Sequence, residues 1–494
     1  LKKSTKRKYV FRIAIAGVLL LLAIPAIFIL STYLHENKIA HGIPKGYTDD
    51  ASGLDLTKVD TIISASADTK TLISQLQKAI ALSKLKKTPI SLAGARHSMG
   101  GQTMYKDGIV INMLPFKGMK LDETQNILTV GSGALWRDVL QYLNKYGKSV
   151  AIMQAFSSFS IGGSISVNCH GWQHNSPPVS ASIISFTLMD ATGNVLNCSR
   201  TQNEQLFHLV IGGYGLFGII LEIKLSVVNN ENLNFREYEF ESKDYLSYFD
   251  KYVNKDKGAQ LVFGRLNVSK KEFLEHATLN IFKLSKTPVN KGAVIHPQGG
   301  LEIKRLIFRS SVNSEYGKRL RWDLETHAGK FGLDADLTRN ELLNDDVSLI
   351  ENKDTTSTDI LEEYFIPQRH FNQYISALKK ILPNKQIDLL NITIRNVYKD
   401  NDSYMRYARE NVFGFVFLFN QKKNDSDEIE MKKLTQQLAN LAITMEGTYY
   451  LPYRLHISKE TMRKAYPQSD QFFNLKLKYD PEKVFSNKFY EQYK

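Results

Sequence analysis

Hydrophobic and polar positions divide the chain into stretches of different period. From Ile13 to Leu34 the sequence "IAIAGVLLLLAIPAIFILSTYL" carries no charge over 22 residues. At ~1.5 Å per residue that run reaches about 33 Å, enough to cross a bilayer core, and Pro25 is tolerable in such a helix. Lys2, Lys3, Lys6, Arg7, Lys8 and Arg12 precede it. This predicts a basic cytoplasmic tail over 1–12, a single transmembrane helix over 13–34, and a body on the outer side of the membrane. A cleaved signal peptide is the alternative; the run is longer than a usual signal core, and no small-x-small site closes it. Residues 35–55 are polar and unpatterned and read as a linker.

Short strands and helices alternate from residue 56 onward. "TIIS", "PISLAG" and "GIVINM" read as strands. Leu72, Leu76 and Ile80 share one face of a helix over Thr69–Lys86, with Asp68 as N-cap. Trp136, Val139, Leu140 and Leu143 mark a second helix, stopped by Gly147. A different order begins near Asn229. "NFREYEF", a helix through Tyr245 and Tyr252, and "AQLVFGRLNV" form one series. "EEYFIP", a helix through Ile375 and Leu378, "LLNITIRNV" and "VFGFVFLF" form another. Such units predict an antiparallel sheet backed by helices. The organisation is therefore α+β, with one domain over 56–228, a cap over 229–458 and a C-terminal segment over 459–494.

Composition narrows the function classes. The chain has 494 residues, 43% of them apolar, which is enough for more than one core. Removing the six basic residues of the tail from the formal charge of +14 leaves +8, ordinary for a soluble body. With no zinc-finger spacing and no dense basic helix, nucleic acid is not an expected partner. The cysteines Cys169 and Cys198 are too few for a disulfide scaffold, although one bridge between them stays open for an exported domain.

Two charge-poor, small-residue segments carry the candidate chemistry. "SLAGARHSMGGQ" (Ser91 to Gln102) places Gly94, Gly100 and Gly101 around a bulky His97. Peptide N–H groups in such a turn can form an anion nest suited to a diphosphate. A plain turn with a surface histidine is the simpler reading of that loop alone. "SSFSIGGSISVNCHG" (Ser157 to Gly171) is rich in Ser and Gly and would let a flat ring approach the backbone. "GYGLFG" (Gly213 to Gly218) matches G-x-G-x-x-G, but a helix-like segment precedes it and a strand-like one follows. A nicotinamide dinucleotide site needs the reverse order, so tight turns explain these glycines.

Residues 56–225 resemble the FAD-binding domain of the vanillyl-alcohol oxidase superfamily. "ARHSMGGQ" resembles the "GHSxxGQ" loop of cytokinin dehydrogenases and the "RHSFN" loop of alditol and aldonolactone oxidases. "FSIGGSISVNCHG", "CSRTQNEQLFHLVIGGYGLFGIILEIKL" and "KLKYDPEKVFSN" resemble the second flavin segment, the closing segment and the C-terminal return of that family. The resemblance implies FAD, with a covalent bond from His97 to the flavin 8α carbon. It implies cofactor contacts at Gly94, Ala95, Arg96, Ser98, Met99, Gln102, Ser160, Gly162, Gly163, Ser166, His170 and Ile220. It also implies an oxidoreductase that moves a hydride from a CH–OH-type carbon to flavin N5, with oxygen or a quinone as acceptor.

The cap departs from the family patterns. Ala155 stands where cytokinin dehydrogenases carry an Asp base, and a methyl cannot accept a proton. Alditol oxidases carry Glu and Arg two apart on a strand; here Thr393 replaces the Glu and Arg395 keeps the Arg. Residues two apart share a strand face. Arg395 is the first catalytic candidate, as a cation for a developing alkoxide. Tyr453 and His456 are candidate bases. The substrate is a small or lipid-like molecule. The alternative is a non-covalent FAD lipid or sterol reductase or dehydrogenase of the same fold.

Overall fold

The protein is described from a computed structural model that covers residues 23–36, 42–289, 295, 300–328 and 336–494. The expected cytoplasmic tail and residues 13–22 of the expected membrane helix lie outside the described residues. Residues 23–35 are helical. Among the described residues, no helix is long and apolar enough to cross a membrane.

The N-terminal region holds two main sheets, besides a short pairing of Tyr47–Thr48 with Thr57–Lys58. Strands β1 (Thr61–Ser64), β2 (Ile90–Ala93) and β3 (Ile109–Asn112) form a parallel sheet in the order β1–β3–β2. Helix α1 (Thr69–Lys86) crosses between its first two strands. It starts where Asp68 accepts a hydrogen bond from the Thr71 N–H, and it buries Leu72, Leu76, Ala79, Ile80 and Ser83. Strands β4 (Met119–Asp122), β5 (Ile127–Gly131), β6 (Ile183–Met189), β7 (Val195–Ser199) and β8 (Ile219–Asn229) form an antiparallel sheet in the order β7–β6–β8–β5–β4. Helix α2 (Trp136–Asn144) packs Val139, Leu140 and Leu143 into its core, and α3 (Ile161–Ser166) and α4 (Glu204–Val210) lie nearby in sequence.

The second region is one large antiparallel sheet. Its long strands are β9 (Asn232–Glu241), β10 (Ala259–Leu266), β11 (His276–Leu284), β12 (Ser357–Pro367), β13 (Asp388–Val397) and β14 (Val412–Lys422). Their order is β9–β11–β10–β13–β14–β12, with two-residue strands at both edges. Two strand–helix–strand–strand units thus meet at the β10–β13 pair as near mirror halves. The first unit is completed by β11, which the local pattern does not single out. Between the units lie α5 (Leu301–Arg309) and α6 (Glu315–Ala328), also unforeseen from the sequence. Helices α7 (Phe371–Ile381) and α8 (Asp425–Thr444) belong to the second unit.

The chain then returns to the first region through α9 (Ser469–Tyr479). Asp480 accepts hydrogen bonds from the N–H groups of Val484 and Phe485 and pairs with the buried Lys476. This turn docks on β2: the Ile90 N–H donates to the Val484 carbonyl at 2.7 Å and the Ser486 N–H to the Ile90 carbonyl at 3.0 Å. The return is a single bridge and turn between helices instead of a full strand.

Candidate active site

A cavity lies between the two regions, and the loop after β2 forms one wall of it. Arg96 there has φ of 56°, a left-handed conformation uncommon outside glycine, asparagine and aspartate. Such a turn lines up successive peptide N–H groups. The N–H groups of Arg96, His97 and Ser98 donate to no protein acceptor among the described residues. The far side of the loop is braced instead. The Met99 N–H donates to the Pro452 carbonyl (2.8 Å), Gln102 Nε2 to the Leu451 carbonyl (2.9 Å), and the Gly101 N–H to the Asp50 carboxylate (3.1 Å). Asn487 Nδ2 donates to the carbonyls of Gln102 and Tyr214.

The opposite wall is the segment around α3. The two segments pack so closely that a Cβ on Gly94 would fall 2.0 Å from Ser160 Oγ; Gly162 packs in turn on the residue after β5, where a Cβ would fall 2.8 Å from Ser132 Cβ. The His97 ring stacks on Phe159 with centroids 4.0 Å apart and planes 15° off parallel. Burial lowers the His97 pKa below its ordinary 6.5, so the imidazole is neutral at pH 7.

Besides Glu363 Oε1, which faces a histidine nitrogen without a hydrogen bond, four polar atoms of cavity-lining residues are buried with no hydrogen-bond partner among the described residues: Arg96 Nε, Ser98 Oγ, Thr103 Oγ1 and Ser132 Oγ. Leaving such a group unmade costs about 1–3 kcal/mol. Together with the free peptide N–H groups, they fit a ligand rich in acceptor oxygens, as the diphosphate and ribityl chain of FAD are. The sequence comparisons agree with this chemistry. Residues 46–199 match the family model described as an FAD binding domain. The chain is 23% identical over 431 residues to cytokinin dehydrogenase 3 of Arabidopsis thaliana, across 81% of this chain and 79% of that protein. It is 25% identical over 186 residues to L-gulonolactone oxidase of Mus musculus, across 37% of this chain and 42% of that protein. This protein is an FAD-dependent oxidoreductase, similar to the flavoprotein oxidases and dehydrogenases of the vanillyl-alcohol oxidase type.

A further wall of the cavity is the large sheet. Its register places residues in rows across four strands. One row runs Arg265, Thr393, Val416, Glu363 from β10 to β12. The next runs Phe263, Arg395, Gly414, Phe365. Members two apart on a strand share the face that lines the cavity. Glu363 is a carboxylate only 2% exposed, and its Oε1 lies 2.6 Å from His170 Nε2. The Tyr453 hydroxyl donates to its other oxygen at 3.4 Å. Glycine at 414 leaves the room, since a Cβ there would come within 2.9 Å of Glu363 Oε1.

Arg395 lies beside this group. Its guanidinium sits 5.5 Å from the Phe263 ring centroid and 5.9 Å from that of Trp172, and it makes no ion pair among the described residues. Burial, with the Arg265 charge second, lowers its pKa to about 10, so it stays cationic at neutral pH. Burial and the Glu363 charge raise the Tyr453 phenol well above its ordinary value, so its proton stays on. Arg265 donates to Asn391 (2.7 Å), which donates to Thr393 Oγ1 (2.8 Å).

Of the residues expected at the cofactor, all but Met99 line the cavity, including Ile220 and His170. Met99 points away and its sulfur contacts the Leu361 N–H. Arg395 and Tyr453 line the cavity, but His456 does not. This corrects its candidacy as base. His456 lies on the other side of the sheet, next to Glu362, whose side chain points opposite to that of Glu363. There its Nε2 is 2.8 Å from Glu428. Ala155 lines the cavity without supplying an acid, and the carboxylate arrives from Glu363 instead. Glu363 and Arg265 were missed in the sequence; an acid inside the strand "LEEYFIP" was the available signal. Both cysteines are free, and burial pushes the Cys169 thiol up to about 12, far from a reactive thiolate.

Proposed function

We propose that this oxidoreductase removes a hydride from a CH–OH-type carbon, with Glu363 taking the hydroxyl proton. When bound, FAD would supply the acceptor for the hydride, and oxygen or a quinone would take up the two electrons. The supporting observation is the buried Glu363 carboxylate beside His170, with a free Arg395 cation one row away on the same sheet face. Glu363 would hold the proton and share it with His170 Nε2. Arg395 would stabilise the alkoxide that develops as the proton leaves. Tyr453, kept protonated, would orient the carboxylate. In this reading FAD would be bonded at its 8α carbon to His97, whose neutral ring would offer a nitrogen as nucleophile, and the N-terminal run 13–34 would anchor the enzyme in a membrane. The relatives named above are dehydrogenases or oxidases of cytokinin and of a lactone, which supports small-molecule oxidation without fixing the substrate.

Acid precipitation tests the bond. The denatured pellet should stay yellow, and His97→Ala should release the flavin into the supernatant. Free flavin from the unmutated protein would remove the covalent claim and favour the non-covalent alternative. Glu363→Gln should slow anaerobic flavin reduction by about 10²–10⁴-fold, the usual weight of a general base. Unchanged reduction in that variant would remove Glu363 from the chemistry.

A further inference from the structure

The reactive row of Glu363 and Thr393 is polar, but the wall changes character one step along the strands. The next row on the same face is Asn391, Leu418 and Leu361. It lies ~7 Å away, two residues at ~3.4 Å each. Asn391 is occupied by its bonds with Arg265 and Thr393. Phe308 from α5 and Ile350 close over Leu361 and Leu418, and all four line the cavity. Irregular pairing of β13 and β14 between Leu389 and Asn391 brings Leu390 into contact with the same cluster. The cavity is therefore two-ended, with charge and a proton acceptor around Glu363 and Arg395 and aliphatic and aromatic carbon beyond.

The apolar end is built firmly. Arg309 of α5 pairs with Asp359, and Lys318 of α6 pairs with Asp388 at 2.7 Å. Arg321 donates to the Leu390 carbonyl and sits 5.0 Å over the Phe308 ring. The outer side of α5 is held by Arg305, only 1% exposed, which forms a two-pronged pair with Glu36 at the end of the N-terminal helix. Phe28 of that helix packs edge-on against Tyr316 of α6. Ile24, Ile27, Leu30 and Leu34 on the helix and Ile303 on α5 are exposed.

We propose that the substrate is an amphiphilic alcohol, its oxidised carbon carried on an apolar body that fills the chamber under Phe308. The inference rests on the alcohol-oxidising role proposed for Glu363 and Arg395. A polyol of the same length would bring hydroxyls against Phe308, Ile350, Leu361 and Leu418, where no partner can satisfy them. The apolar roof is tied to the helix that continues the uncharged N-terminal run, so an apolar phase is the natural source of such a molecule.

The test uses the full-length flavoprotein and a graded series of primary alcohols, from propanol to decanol, against xylitol and a sugar lactone. Affinity is read from perturbation of the flavin absorbance and turnover from anaerobic flavin reduction. Each methylene that enters the chamber should tighten binding about fourfold until the chamber is full. Phe308→Asn and, separately, Ile350→Asn should flatten that dependence by tenfold or more for the longest alcohols. Flavin content should match that of the unmutated protein, which separates loss of the chamber from loss of the fold. Chain-length-dependent binding without reduction would retain the apolar chamber and discard the role of Glu363. Binding that is indifferent to chain length, or tighter for xylitol than for decanol, would overturn the inference.

Discussion

The closest approach in the flavin cradle makes a quantitative prediction. A Cβ placed on Gly94 falls 2.0 Å from Ser160 Oγ and 3.0 Å from Ser160 Cβ, against an ordinary contact of 3.4–4 Å. Overpacking of this kind costs ~1–3 kcal/mol. If the strain falls on the flavin-bound state, it corresponds to about a 5- to 150-fold loss of FAD affinity. Ser160→Ala alone removes the hydroxyl that accepts from the Ala95 N–H at 3.3 Å, a loss of about 1 kcal/mol or less. Combining the two removes the 2.0 Å contact and leaves only the milder one to Ser160 Cβ. The double variant should therefore bind FAD better than Gly94→Ala alone, with a favourable coupling of about 1–2 kcal/mol. The assay is FAD titration followed by flavin fluorescence quenching, performed on His97→Ala so that binding is reversible. Strict additivity, or wild-type affinity in Gly94→Ala, would show that the Ser160 side chain does not crowd position 94.

Two further consequences concern stability. Lys476 and Asp480 form an ion pair of which neither side chain is more than 1% exposed. Lys476→Met should strand the carboxylate and destabilise by about 3–5 kcal/mol, read as a fall of several degrees in Tm. Glu428 is held below its ordinary 4.5: burial alone would raise it, but hydrogen bonds from His456 and Arg454 outweigh burial. Its contribution is present above the unfolded value and is lost as pH falls through the depressed folded value. Glu428→Gln should lower Tm at pH 7, and that deficit should shrink in strongly acidic buffer. A constant deficit at all pH values would mean that the charge of Glu428 is not what stabilises the network.

How much of the site the sequence discloses depends on how local its logic is. The proposed flavin cradle is readable because its segments must stay small and uncharged to pack closely, as Gly94 does on Ser160 and Gly162 on Ser132. His97 stands out because it breaks that rule. The reactive carboxylate follows a different logic. Thr393 sits where a relative's pattern would place an acid, and the residue two strands over in the same row, beyond Val416, supplies it as Glu363. Only the pairing of β13, β14 and β12 makes those positions neighbours, and pairing register is a long-range property that no window of sequence contains. The roof helices escape notice for a related reason. A helix is found by an apolar stripe, but the buried face of α5 carries Arg305 and Arg309, whose partners Glu36 and Asp359 lie far away in the chain. Burying these charges is costly unless each is paired. The same partners that hide α5 from a periodicity reading therefore fix Phe308 over the apolar end of the cavity, so the wall we propose to select the substrate is the least legible part of the fold.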